Sequence, residues 1–289
     1  MFKLILILYF LLNNYFLESF LFGSLQQNVP DPDESIDTLE LIKNKGYPSE
    51  QHDVITNDGY ILTIHRIPRQ NSTKVILLQH GLLDSSSTWV INYPNQSLGF
   101  ILHDNDYDVW LGNMRGNRYC NRHILFNETQ DEFWDFSFSD MAKYDLTAMI
   151  DYILNETNQT QLYYVGHSQG SLIKFINSNP LYLKKIKLFT ALGPVAKVAN
   201  MKSPLYKKLA LLGGNTNQDV WFKLIGKKSF ASSKFDFLIN NLCNSNFTDC
   251  SRIHPNLNHS RMNVYFTLLP SGTSTKNIVH YLQMIKSKY

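Results

Sequence analysis

Acidic side chains all but disappear from the second part of this 289-residue chain. From residue 171 onward only Asp219, Asp236 and Asp249 are acidic, against 17 lysines and arginines. The overall balance of 27 basic to 24 acidic residues, a formal charge of +3, conceals this asymmetry. Two readings are open: attraction to an anionic lipid surface or acidic substrate, or balance by sequence beyond Tyr289. Nothing in the basic part resembles a nucleic-acid module, so no nucleic-acid partner is expected. Cysteine is scarce too. Cys120, Cys243 and Cys250 are the only three, too few for a scaffold held together by disulfides. Cys243 and Cys250 flank a short polar loop and could pair in an oxidising compartment, which leaves Cys120 as a small buried residue. The histidines are scattered, and neither His-Glu-x-x-His nor Cys-x-x-Cys occurs, so no metal or cofactor is expected. Internal repeats and low-complexity tracts are absent. With 44% hydrophobic and 18% charged residues the composition is that of a globular protein, one domain with an insertion.

Long apolar runs are missing as well. The longest, residues 4–12, follows the basic start Met1-Phe2-Lys3 and is broken by Asn13-Asn14 before a second patch at residues 15–22. It is short for a membrane span. We read residues 1–24 as a secretory signal cleaved near 19–24, with an uncleaved anchor as the alternative. Seven Asn-x-Ser/Thr sequons, at Asn71, Asn95, Asn127, Asn155, Asn158, Asn246 and Asn258, fit glycosylation along the same route.

The chemistry is concentrated in Gly166-His167-Ser168-Gln169-Gly170. Gly-x-Ser-x-Gly places a serine on a sharp strand-to-helix turn, where its hydroxyl is exposed as a nucleophile. Leu162-Tyr163-Tyr164-Val165 reads as a buried strand and Ser171 to Ile176 as a helix, the context that the motif needs. The glycines suit a turn in which a Cβ would collide with a neighbouring strand or helix. Ester hydrolysis also needs an oxyanion hole. The backbone N–H of Gln169 supplies one donor, and the strand Lys74 to Gln79 runs into His80-Gly81-Leu82-Leu83, where Gly81 lets the Leu82 N–H face the site.

Elsewhere, residues 35–45 read as a first helix ended by Gly46 and Pro48. Asn57-Asp58-Gly59 between two alternating runs reads as a hairpin. Tyr107 to Leu111 is a strand followed by a glycine-bearing loop, residues 140–154 a long amphipathic helix, and residues 186–191 a further strand. Met141, Tyr144, Asp145, Ala148, Ile150, Tyr152 and Ile153 form the mainly apolar face of that helix. Alternating strands and helices predict an α/β fold with a mostly parallel sheet covered on both faces. After about Ala199 only short helices at 204–212, 219–225 and 233–243 are expected, a helical cap or lid. The expected division is a signal at 1–24, a core at 25–198 and a cap at 199–289.

The chain resembles the acid lipases, the group of gastric lipase, lysosomal acid lipase and related sterol-ester hydrolases. The resemblance rests on Gly46-Tyr47-Pro48, Asp58-Gly59-Tyr60-Ile61-Leu62, Gln79-His80-Gly81-Leu82-Leu83, Asn113-Met114-Arg115-Gly116-Asn117, Phe133-Trp134-Asp135-Phe136-Ser137, the elbow, Ser260-Arg261-Met262-Asn263 and Gly272-Thr273-Ser274 with Asn277 and His280-Tyr281. It covers about residues 33–289. It implies an α/β-hydrolase fold with a cap, hydrolysis of triacylglycerol or sterol esters at a lipid droplet or membrane surface, and a secreted or lysosomal destination. It implies Ser168 as nucleophile and Leu82 and Gln169 as oxyanion donors, and it supports the Cys243–Cys250 pair. In the family the catalytic acid and histidine follow the cap on the last two core strands. Neither has a counterpart here, so the sequence is expected to be a truncated form lacking those strands, and its activity as written is left open. Two further readings are a non-catalytic lipid-binding protein and a thioesterase or other esterase. A scan for the order Ser, Asp, His offers Ser168, then Asp219, Asp236 or Asp249, then His254, His259 or His280, all in the insertion rather than at core strand ends. His65, His103 and His123 precede the elbow and read as structural or exposed.

Overall fold

The computed structural model describes residues 31–34, 36–171, 179–195, 198, 228–229 and 257–287. The expected signal, the helix after the elbow, the short cap helices, Cys243, Cys250, Asn246, Asp219, Asp236, Asp249, His254 and the side chain of His259 lie outside the described residues. The first helix, α1 (Thr38–Asn44), is shorter than expected because Asp37 caps it. The Asp37 carboxylate accepts the Glu40 N–H at 2.8 Å, and Glu40 reaches back to the Asp37 N–H. Two otherwise orphaned amides are thereby satisfied. Gly46, at φ +82°, lets the chain leave the helix. The expected hairpin forms. Strands β1 (Glu50–Ile55) and β2 (Tyr60–Ile67) pair antiparallel around Gly59, which takes φ +97°.

The sheet grows from that hairpin. Strand β3 (Val75–Gln79) is followed by helix α2 (Leu98–Asp104), strand β4 (Asp108–Gly112) and the short β5 (Arg122–His123). Strand β6 (Leu162–His167), helix α4 (Pro180–Lys185) and strand β7 (Ile186–Leu192) come later, after helix α3 described below. The order across the sheet is β1-β2-β4-β3-β6-β7, with β5 beside β2. Strands β4, β3, β6 and β7 run parallel, whereas β1 and β2 form an antiparallel flank. Alternate residues feed two cores. Val75, Leu77, Trp110, Leu162 and Tyr164 pack on one face, and Ile76, Leu78, Val109, Leu111 and Val165 on the other. A strand apolar at successive positions is what two covered faces require.

The helix expected over residues 140–154 is three pieces. One turn, Phe138–Asp140, is capped by Ser137. A π-helical turn follows at Met141–Asp145, and α3 (Leu146–Glu156) continues from it. Within α3, Leu146, Met149 and Leu154 join Ile150 and Ile153 in the core at an i, i+3, i+4, i+7, i+8 spacing. These three lie outside the face expected from sequence, which starts at Met141 ahead of the π turn.

Downstream, β8 (Lys228–Ser229) pairs antiparallel with β9 (Thr273–Ser274), between α5 (Met262–Leu268) and α6 (Thr275–Ser287). Val264, Tyr265 and Leu268 of α5 pack into the same cluster as Leu41 and Phe100. Ahead of α5, the buried Arg261 guanidinium donates to the Ile91 carbonyl at 2.7 Å and contacts Asp31 at 2.9 Å and Asp33 at 2.7 Å. The first described residues and the C-terminal segment are thus held on one cation.

Candidate active site

The chain runs from β3 outward to β4 on one side and later returns to β6 on the other. A crevice forms outside the carboxyl ends of parallel strands at such a reversal, where α/β proteins place ligands. Parallel pairing sets Gln79 opposite Gly166. The residues that follow, His80-Gly81-Leu82 on one strand and His167-Ser168-Gln169 on the other, therefore emerge side by side. Sequence motifs about 87 residues apart meet because the sheet register demands it.

Ser168 takes φ +51°, a left-handed conformation rare for a residue with a Cβ. Holding it there costs about 1–3 kcal/mol and requires support from its surroundings. Both motif glycines supply that support. A Cβ on Gly166 would fall on the Gly170 carbonyl and the Ser171 Cα, and one on Gly170 would fall on the His80 and Gln79 carbonyls. The turn can therefore press directly against β3. Ser171 closes it, its hydroxyl donating to the Ser168 carbonyl at 2.6 Å. Ser168 is partly exposed and Gln169 is buried.

On the facing loop, a Cβ on Gly81 would stand 3.1 Å from the Ser168 Cβ. Leu82 is partly exposed, and Leu83 is a second left-handed residue at φ +61°. The Leu83 carbonyl accepts the Ser271 N–H at 2.7 Å, so the segment after α5 also braces this loop. Ser168, Leu82 and Gln169, the three residues expected from sequence, come together here.

The loop after β4 fills the space beneath. Asn113 accepts from the Ser86 amide and from Asn117, each at 2.8 Å, and donates to the Thr63 carbonyl at 2.8 Å. Arg115 is buried, binding Asp145 through its Nε at 2.7 Å and Asp58 at 2.6 Å, with its guanidinium 3.8 Å from the Tyr60 ring centre. Burial raises the Asp145 carboxyl above the ordinary range, and Arg115 opposes that. Asp145 is thus no stray polar residue on an apolar face but the buried anchor of this loop.

Other histidines are occupied by the fold. His65 meets the Ser86 hydroxyl at 2.9 Å and is lowered to about 4 by burial. His123 lies 2.9 Å from the Asp58 carbonyl, and His103 lies 3.3 Å from that of Pro68. His280 on α6 stacks on Phe138 at 4.3 Å. His167, the neighbour of Ser168, is exposed, and partial desolvation lowers it. Cys120 is buried and unpaired, and burial raises its thiol. Among the described residues no cluster of potential metal ligands occurs. Asn71, Asn95, Asn127, Asn155 and Asn158 are exposed, and Asn258 is half-buried.

The side chains of His80, Asp84, Asn117 and Asn277 escaped the sequence reading. All four are buried polar groups, three at loop positions and Asn277 on helix α6, and periodicity does not single out such positions. For His80 the available signal was a polar side chain next to Gly81.

A family model described as a partial alpha/beta-hydrolase lipase region matches residues 38–93, and one for the alpha/beta hydrolase fold matches residues 74–176. The chain is 46% identical over 275 residues to lysosomal acid lipase/cholesteryl ester hydrolase of Homo sapiens, covering 89% of this chain and 68% of that protein. It is 43% identical to gastric triacylglycerol lipase of Homo sapiens and to lipase member K of Mus musculus, each match covering 92% of this chain and 71% of the relative. With this fold, this elbow and identity of that extent, the chain belongs to the acid lipase family of α/β-hydrolases.

Proposed function

We propose that this chain hydrolyses carboxylic esters of lipids, triacylglycerols or sterol esters, through an acyl-enzyme on Ser168. The observation that carries the reading is the left-handed Ser168 turn pressed against Gly81 at the switch point of the sheet. In the proposed reaction the Ser168 hydroxyl attacks the ester carbonyl. Negative charge builds on the carbonyl oxygen, where the backbone N–H groups of Leu82 and Gln169 stabilise it, each donor contributing about 3–4 kcal/mol. The tetrahedral species expels the alcohol, and water then releases the fatty acid. A base takes the Ser168 proton during attack and returns it to the departing alcohol, the role of histidine in a Ser-His-Asp arrangement; His65, His103 and His123 are held in other bonds, so the proposal assigns that role to none of them.

The names of the relatives support the substrate class. The exposed sequons at Asn71, Asn95, Asn127, Asn155 and Asn158 favour the secretory pathway, with action at a lipid surface. The test is hydrolysis of emulsified triolein and cholesteryl oleate by the natural full-length protein, with fluorophosphonate labelling located by peptide mass spectrometry. Labelling at Ser168, lost in Ser168→Ala together with hydrolysis, is expected. A labelled protein carrying the probe elsewhere, or undiminished hydrolysis in Ser168→Ala, refutes the proposal.

A further inference from the structure

We propose that His80 and Asp84 are positioning residues that lock the Gly81–Leu82 peptide plane, so that the Leu82 N–H is aimed before substrate arrives. This rests on the reading of Ser168 and Leu82 given above and adds to it the parts that hold the donor still.

The ring of His80 has both nitrogens in use. Nδ1 lies 2.8 Å from the Gly81 carbonyl oxygen, while Nε2 lies 3.1 Å from the Met114 amide nitrogen and 3.2 Å from Asn117 Nδ2. A carbonyl only accepts, so Nδ1 carries the proton. An amide N–H only donates, so Nε2 carries the lone pair. Both contacts demand the same neutral tautomer. His80 is 3% exposed, and burial lowers it to about 4, opposed by the Gly81 carbonyl and reinforced by His167.

The bond to Gly81 has a geometric consequence. The Gly81 carbonyl and the Leu82 N–H belong to one planar peptide and point in opposite directions, because the bond is trans. Fixing the carbonyl against the buried ring turns the N–H away from the interior. The carboxyl of Asp84 faces the same loop: it accepts the Ser85 N–H at 2.7 Å, and the polar groups of Thr88 and Gly81 favour its charged form against burial. Gly81 is thus held at its carbonyl by His80 and faced by Asp84, where the absence of a Cβ lets the backbone lie against Ser168. A loop gripped this way need not reorganise as charge develops, which is the requirement for electrostatic stabilisation of an oxyanion.

The test uses the natural full-length protein with p-nitrophenyl butyrate. His80→Leu removes the donor to Gly81, whereas His80→Asn can keep a donor near the Nδ1 position. In His80→Leu kcat is expected to fall about 100-fold or more with KM changed less than about threefold. His80→Asn is expected to recover most of the loss, and Asp84→Ala to reproduce the same kcat pattern. A folded His80→Leu that keeps kcat within about twofold, or loses activity only through KM, overturns the proposal. A second measurement does not depend on activity. Nitrogen-15 NMR of histidine-labelled wild-type protein at pH 6 should show one neutral ring protonated at Nδ1, the resonance that Asp84→Ala perturbs and His80→Asn removes. A His80 ring that is protonated at Nε2, or charged at that pH, overturns the proposal even if His80→Leu does not fold. If Ser168→Ala leaves hydrolysis intact the esterase reading fails, while the NMR outcome still decides whether the clamp exists.

Discussion

Asn277 of helix α6 donates from Nδ2 to the Gln169 side-chain oxygen at 3.0 Å, joining the C-terminal helix to the residue that follows Ser168. The same amide donates to Thr273 Oγ1 at 3.0 Å and accepts the Phe138 N–H at 2.9 Å. The far end of the Gln169 side chain meets Met141 Sδ at 3.3 Å, within the π-helical turn. Gln169 is therefore gripped by two elements, one preceding it in the sequence and one following it.

Replacing Asn277 by leucine should cost about 2–4 kcal/mol, because it strands the buried Phe138 amide and the Gln169 oxygen. The loss would be read from urea unfolding. Esterase kcat should fall by more than the loss of folded protein accounts for, since the Gln169 backbone loses its lateral support. Unchanged kcat per folded molecule would show that the bridge serves stability alone.

Gly170→Ala should be far worse than its single methyl suggests. That methyl would meet the His80 and Gln79 carbonyls, both backbone atoms that cannot swing aside. We expect a cost of about 3 kcal/mol or more, seen as a lowered urea midpoint or loss of soluble protein. Gly193→Ala is the control for crowding, because a Cβ there meets nothing within 4 Å. Its φ of +52° predicts only a modest conformational cost.

Stability should depend on pH with opposing contributions. The Asp84 carboxyl is pushed up to about 7 by burial, against the bonds from Ser85, Thr88 and Gly81. Between about pH 4 and 7 the folded state keeps a proton there that the unfolded chain releases, so this contribution falls as pH rises. His65 and His80 work the other way. Each is lowered to about 4 by burial, so the unfolded chain binds protons up to about pH 6.5 that the folded state refuses, and stability rises over that window. Asp84→Asn should therefore gain stability relative to wild type as pH rises from 4 to 7, by at most about 1.4 kcal/mol per pH unit. Parallel unfolding curves across that range would contradict the assignment.

Arg115→Ala should destabilise the fold by about 3–5 kcal/mol, because Asp145 is left buried with its charge unpaired. Asp145→Asn should cost less, since an amide can still accept the Arg115 N–H at 2.9 Å. A double-mutant cycle with thermal unfolding would separate the pair energy from the penalty of the orphaned charge.

The elbow, the Gly81 loop, the hairpin at Gly59 and the strands β3, β4, β6 and β7 were all legible in the sequence. Each depends on contacts among near neighbours or on a conformation that only a particular residue tolerates. Long-range polar structure was not legible. Asp145 was read as part of an amphipathic face because its partner Arg115 lies on another loop, and no periodicity reports a pair separated by 30 residues. The π turn at Met141–Asp145 leaves no mark in the residue pattern, and Leu146, Met149, Ile150, Ile153 and Leu154 beyond it keep an ordinary i, i+3, i+4, i+7, i+8 stripe that a single face drawn from Met141 misses in part. The antiparallel flank of β1 and β2 was concealed by strand patterns that do not reveal direction. At His80 the sequence signal is the adjacent glycine, whereas the ring itself reaches the Gly81 carbonyl.

The Arg261 clasp imposes an order on biosynthesis. Its ion pair to Asp31 spans 230 residues, so the start of the folded domain stays unfastened until residue 261 has left the ribosome. The sheet, complete by Leu192 across the described strands, can assemble well before then. During that interval Ile91, Val90 and Trp89 lack the cover that α5 provides in the finished fold. A nascent chain paused in this window would present an apolar seam beside Asp31, while Asp33 is already paired with Lys45, a surface suited to chaperone capture.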